Sequence, residues 1–234
     1  MRTIGVIGGM SWESSQLYYR LLNQKVKERM GGLHSAKLLM SSLDFAELAA
    51  MQEDGHWHQI GVKLAHEARR LELAGADCIL VAANTMHKVA DQIEHVLTVP
   101  LIHIADATAQ AVKMRGIRRV GLLGTKYTME QEFYAGRLTM QHGLDVLVPT
   151  VEDRELIHHV IYQELCQGRF DGASRRHFIE IMQELVRRGA QGIILGCTEI
   201  GLLITQDDSA VPLFDTAQLH VEAAVEFALE HMPR

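Results

Sequence analysis

The sequence predicts an α/β protein of two pseudo-symmetric lobes, each a mainly parallel four-stranded sheet flanked by helices. Three observations predict it. Short continuous apolar runs alternate with amphipathic helical stretches, the pattern of parallel strands covered on both faces. Three segments recur in the same order at a nearly constant separation. They are "RTIGVIGG" with "RRVGLLGT" (Gly5 over Gly121), "GADCILVAANT" with "GAQGIILGCTE" (Gly75 over Gly189) and "VPLIHIADA" with "VPLFDTAQL" (Pro100 over Pro212). No Pro-, Gly- or Ser-rich linker and no low-complexity segment separates the copies. A two-unit repeat is too short for a solenoid, so two similar, closely joined lobes follow.

In the first copy the apolar runs place strands at 3–7, 37–43, 78–82 and 100–103. In the second they place strands at 119–123, 144–148, 192–196 and 211–214. Between them, 58–74 carries Ile60, Leu64, Ala68 and Leu71 on one helical face, with Gly75 as the stop. The stretch 175–188 repeats this with Phe178, Ile181, Met182 and Leu185, stopped by Gly189. The expected division is 1–98 for the first lobe and 99–214 for the second. A C-terminal helix over 215–234 is expected to pack back on the first lobe, and a cleft to lie between the two.

Composition excludes several classes. The chain has 234 residues, of which 47% are hydrophobic and 22% charged, with a net charge of −6. That balance, with a pI near 6.1, argues against a nucleic-acid partner, which calls for a basic face. No apolar run reaches the roughly 18 residues of a membrane span. "MRTIGVIGGM" reads as a first strand rather than a signal peptide. The three cysteines, Cys78, Cys166 and Cys197, form no CxxC pair and no disulfide framework, and they fit a reducing cytoplasm.

Ligands of open α/β sheets bind outside the carboxyl ends of the strands. Those ends here read "GGMSWESS", "AANTMH", "GTKYTM" and "GCTEIG". Helix N-termini following them would offer free backbone N–H groups to a carboxylate or phosphate. "GGM" lacks both the GxGxxG spacing of a dinucleotide fold and the ending of a P-loop. Cys197 stands out, since a thiol beside a helix N-terminus can have its pKa of about 8.5 lowered and act as a base or nucleophile. A buried structural thiol is the plainer alternative. Cys78 falls within a strand and reads as core, while Cys166 can face either core or cleft. If the lobes face one another, positions 83 and 197 address one carbon from opposite sides. That arrangement inverts a stereocentre, one group removing a proton and the other returning one.

These residues carry a resemblance. "GVIGGMSWESS", "ANTMH", "GTKYTMEQEFY" and "GCTEI" resemble the pyridoxal-phosphate-independent aspartate/glutamate racemase family, in particular its enterobacterial branch, over essentially the whole chain. The resemblance implies two α/β lobes with a small amino-acid substrate between them, no cofactor, no metal, and a cytoplasmic homodimer. It implies that Cys197 is one acid/base group, acting on the L-enantiomer. Position 83 is that of its partner, where Ala83 has no proton to give. Met10, Asn84, Thr85, Thr125, Thr128, Thr198 and Glu199 fall where substrate is held or framed, with Gln52 as a further contact. Some aspartate-specific relatives carry a lysine in the region of Cys166, which is absent here.

Two explanations fit Ala83: a native one-sided enzyme or different reaction, or a substitution that lets substrate bind without turnover. Two rivals remain. One is a cofactor-free decarboxylase or cis–trans isomerase of the same superfamily, which needs a single cysteine. The other is a non-catalytic two-lobed amino-acid sensor. Thr198 and Asn84 can also cap helices, and Glu199 can orient or tune Cys197. His56 and His58, like His158 and His159, lack the spacing of a zinc site. His87 reads either as support behind the substrate contacts or as a hydrogen-bonded residue beneath the loop. His103 and Asp215 hold matching positions in the two copies.

Overall fold

Branched aliphatic runs form strands where both sheet faces are covered, because their side chains fill a pleated surface densely on either side. A computed structural model describes residues 1–230. The chain divides into two units, one comprising Met1–Ile104 with the stretch from His220 onward, the other Ala105–Leu219.

The first unit contains β1 (Ile4–Gly8), α1 (Trp12–Met30), β2 (Leu38–Ser42), α2 (Phe45–Glu53), α3 (Trp57–Leu73) and β3 (Cys78–Val81). A 3-10 turn (Thr85–Val89) and α4 (Ala90–Val96) follow. Its sheet has the order β2-β1-β3, with both pairings parallel. The face of α3 read from the sequence is the buried one, and Ile60, Leu64 and Ala68 pack with Ile7, Ile79 and Val81 in one core. Each large aliphatic side chain so buried contributes about 1.5–3 kcal/mol.

The second unit runs through α5 (Ile104–Met114), β4 (Arg119–Gly124), α6 (Lys126–Glu130), α7 (Ala135–Met140) and β5 (Asp145–Leu147). It continues with α8 (Val151–Gln163), α9 (Gly172–Arg187), β6 (Ile193–Gly196), α10 (Ile200–Leu203) and β7 (Leu213–Asp215). The last helix, α11 (Thr216–Leu229), starts here and ends in the first unit. The sheet order is β5-β4-β6-β7, again all parallel. The repeat extends to backbone detail. Gly75 and Gly189 both have φ of +98°, and their N–H groups donate to Glu72 O and Val186 O at 2.9 Å each. This left-handed conformation ends a helix at little cost only with glycine.

The first sheet has three strands rather than the expected four. The segment 100–103 makes a single bridge, Leu101 to Ile79. The Ile79 N–H donates to Pro100 O at 2.9 Å and the Ile102 N–H to Ile79 O at 3.0 Å. The next rung would need the Ile102 carbonyl, which instead accepts from His220 Nε2 at 2.6 Å. In the second unit Ile193 N–H donates to Pro212 O at 2.9 Å, and the ladder continues to Leu195 opposite Asp215.

The same contacts move the unit boundaries. The bridge ties 99–104 to the first unit, so the division falls after Ile104 rather than after 98. The C-terminal helix joins the first unit from His220 rather than from 215. Tyr18 Oη donates to His220 Nδ1 at 2.8 Å, and the Arg2 N–H donates to Ala228 O at 3.0 Å. Residues 231–234 of the expected helix lie outside the described residues. Among the described residues, no helix is long and apolar enough to cross a membrane.

Candidate active site

In the second unit Gly124 of β4 pairs with Gly196 of β6, so Thr125 and Cys197 leave the sheet from neighbouring strands. Cys197 is buried, and its Sγ donates to Glu199 Oε2 at 2.9 Å. Thr198 Oγ1 donates to the same oxygen at 2.8 Å. Cys166, in a 3-10 turn over Leu165–Gln167, directs its Sγ to Glu199 Oε1 at 3.9 Å. Glu199 itself is only 2% exposed, and burying a polar group is costly unless it is hydrogen-bonded, as it is here.

The expected lowering of the Cys197 pKa does not occur. Burial first, then the Glu199 charge and the Cys166 thiol, push it well above the ordinary value. The helix that follows, α10, is only four residues long, too short to build an appreciable dipole against those effects. Chemically the result is a thiol held in its protonated form, and a strong base once deprotonated. Burial also raises Cys78, to about 12, which with full burial makes it a core residue.

Thr125 caps α6, its hydroxyl accepting from the Thr128 N–H at 3.3 Å and lying 3.2 Å from the Thr128 hydroxyl. The alternative that Asn84 and Thr198 cap helices is not realised. Asn84 precedes its 3-10 turn without a side-chain capping bond, and the Thr198 hydroxyl turns to Glu199.

In the first unit Ile7 pairs with Val81, so the loops after β1 and β3 leave side by side. Ser14 Oγ donates to Ala82 O at 3.0 Å, and the Gly9 N–H donates to Ser15 Oγ at 2.6 Å. Met10, Ala83 and Met86 share one buried cluster, and Gln52 Nε2 reaches Met86 Sδ at 3.8 Å. Asn84 and Thr85 are buried beside them in sequence. His87 lies beneath the loop: its Nε2 accepts the Ile104 N–H at 3.3 Å, which leaves Nδ1 to donate to Ala83 O at 2.9 Å.

The His87 ring centroid stands 4.5 Å from that of His103 and 5.8 Å from that of His220. Burial first, then His87, push His220 down to about 3. Asp215, the counterpart of His103, instead accepts from the Ala217 and Gln218 N–H groups at the start of α11.

The structure thus groups Met10, Gln52, Ala83, Asn84 and Thr85 within one unit, and Thr125, Thr128, Cys197, Thr198 and Glu199 within the other. Sequence reasoning missed His220 and Tyr162, weighed His158 only as a metal ligand, and left Cys166 undecided. No local pattern marks them, because each meets its partners only through folding. Among the described residues, no three His, Cys, Asp or Glu side chains are grouped to hold a metal ion.

The model of the family described as Asp/Glu/Hydantoin racemase matches residues 7–224. A Yersinia pestis protein whose crystal structure is provisionally assigned as an Asp/Glu racemase is 51% identical, with a TM-score of 0.91 over 98% of this chain and 100% of that one. An aspartate racemase homologue from Pyrococcus horikoshii OT3 is 36% identical, with a TM-score of 0.84 over 97% and 99%. The broad specificity amino-acid racemase RacX of Bacillus subtilis is 23% identical over 171 residues, 70% of each chain.

Proposed function

The chain belongs to the Asp/Glu/Hydantoin racemase family, and from that membership we propose that it is a cofactor-independent amino-acid racemase in which Cys197 does the proton transfer. The substrate class is aspartate, glutamate or a similar small polar amino acid. The observation that carries this reading is the Cys197 thiol donating to the buried Glu199 carboxylate at 2.9 Å. Transfer of that proton from Sγ to Oε2 leaves a thiolate. The thiolate then takes the α-hydrogen of the L-amino acid, becoming a thiol again, and the bonding electrons remain on the α-carbon and its carboxylate.

That hydrogen is far less acidic than any protein side chain, so the developing charge must be stabilised where it forms. Asn84 and Thr85 are assigned that task, and one well-placed donor is worth roughly 3–4 kcal/mol of barrier. Met10, Gln52, Thr125 and Thr128 are assigned to framing the substrate, with Thr198 holding Glu199 in place. Ala83, at the position of the partner acid/base group, has no proton to return. The chain is therefore expected to exchange the α-hydrogen of an L-amino acid while racemising slowly. A cytoplasmic homodimer belongs to the same reading, and light scattering tests the dimer.

The deciding experiment is proton NMR of L-aspartate, L-glutamate and L-homoserine in deuterated water. α-Deuteration with retained L configuration is expected. Rapid build-up of the D-enantiomer would overturn the one-sided mechanism. Protection of Cys197 from alkylation by amino acids, without any α-exchange, would instead indicate a binding protein.

A further inference from the structure

We propose that Cys166 is a positioning residue for Cys197, acting through Glu199: it engages one carboxylate oxygen so that the other stays aimed at the reactive thiol. The proposal rests on the reading of Cys197 as a base. A terminal carboxylate torsion is broad and roughly two-fold, so two donors on one oxygen do not by themselves fix its plane. Cys197 and Thr198, adjacent in sequence, both bond Oε2. Cys166 approaches Oε1 from a separate segment, 33 residues away.

Its own placement is firm. Leu165 beside it is fully buried, and the turn closes at Gly168 with φ of +70°. The other titratable groups around this cluster are Tyr162 and His158 of α8 and Tyr127 of α6. The His158 ring centroid lies 4.7 Å from that of Tyr162 and 5.8 Å from that of Tyr127. Burial first, then Tyr127, Cys166, Cys197 and Glu199, hold the Tyr162 phenol protonated well above its usual range. The Cys166 thiol is a weak donor. It orients the carboxylate while taking little from its capacity to accept the Cys197 proton.

The test compares Cys166→Ala and Cys166→Ser by two readouts. One is the pH dependence of iodoacetamide alkylation at Cys197, followed by peptide mass spectrometry. The other is α-hydrogen exchange, resolved into kcat and KM. In Cys166→Ala the alkylation midpoint should move to lower pH, because the carboxylate is no longer fixed against Cys197. The exchange kcat should fall by about two- to tenfold, the scale of one weak hydrogen bond, at unchanged KM. Cys166→Ser, which retains a donor, should recover most of it.

An alkylation profile and exchange rate indistinguishable from wild type in Cys166→Ala would overturn the proposal. Equal losses in both variants with a raised KM and lowered Tm would also overturn it, since they would mark a packing role. A wild-type protein that alkylates but exchanges no α-hydrogen would sink the base reading alone. The shifted midpoint in Cys166→Ala would then still support the coupling.

Discussion

The ends of β3 and β6 occupy the same place in two copies of one topology and are held by different chemistry. After β3, Ala83 contributes only its backbone, and its carbonyl is fixed by His87 at 2.9 Å. After β6, Cys197 faces a buried carboxylate and, through it, a second thiol. The next matched pair diverges too. His103 packs on another imidazole, whereas Asp215 caps a helix. What the copies share is backbone geometry, namely the glycines that end α3 and α9 and the proline carbonyls that open the last ladder of each sheet. Duplication repeats what the main chain requires and leaves side-chain chemistry free to differ.

The largest expected effect breaks the comparison on its titratable side. Cys197→Ala should lower α-hydrogen exchange by about 10²- to 10⁴-fold, the usual contribution of a positioned acid–base group, measured by NMR in deuterated water. On the proposed racemase reading, Ala83→Thr or Ala83→Cys should supply the missing second acid/base group. It should raise D-enantiomer formation by about 10²-fold, followed by chiral chromatography, and preference among aspartate, glutamate and homoserine can be read from the same samples.

Glu199→Gln sharpens the contrast further. It removes the proton acceptor, so exchange should fall by about tenfold or more. It also removes the negative charge that raises Cys197, so the alkylation midpoint should move to lower pH even as exchange falls. The last expected effect concerns stability, not rate, on the imidazole side. His220 is held at about 3 in the folded chain, against about 6.5 when unfolded. Between these values the unfolded chain binds a proton that the native one does not. Its contribution is therefore complete above pH 6.5 and declines by at most about 1.4 kcal/mol per pH unit on acidification toward 3. Urea midpoints at pH 7, 5 and 4 should show this slope, flattened in His220→Gln.

Much of the fold was legible because it follows local rules. The strands near 4–8, 38–42, 78–81, 119–124 and 193–196 came from apolar runs, and α3 and α9 from periodicity and their terminal glycines. The fourth strand of the first sheet was not legible, because a histidine on the last helix takes the carbonyl that its ladder needed. The grouping of Cys197, Thr198 and Glu199 could be anticipated from adjacency. The direction of the Cys197 shift could not, since burial and a neighbouring carboxylate outweigh a one-turn helix.

The amino-acid order alone determined a duplicated α/β chain, which residues stand at its strand ends, and that position 83 lacks a proton while position 197 has one. Those properties depend on hydrophobic spacing and residue identity, which are written locally. Tertiary structure decided which atoms those residues meet: Cys166 against Glu199, His220 against Ile102, and the Cys197 thiol against a buried carboxylate. Such contacts join residues far apart in the chain, and burial sets their protonation, so no window of sequence contains them.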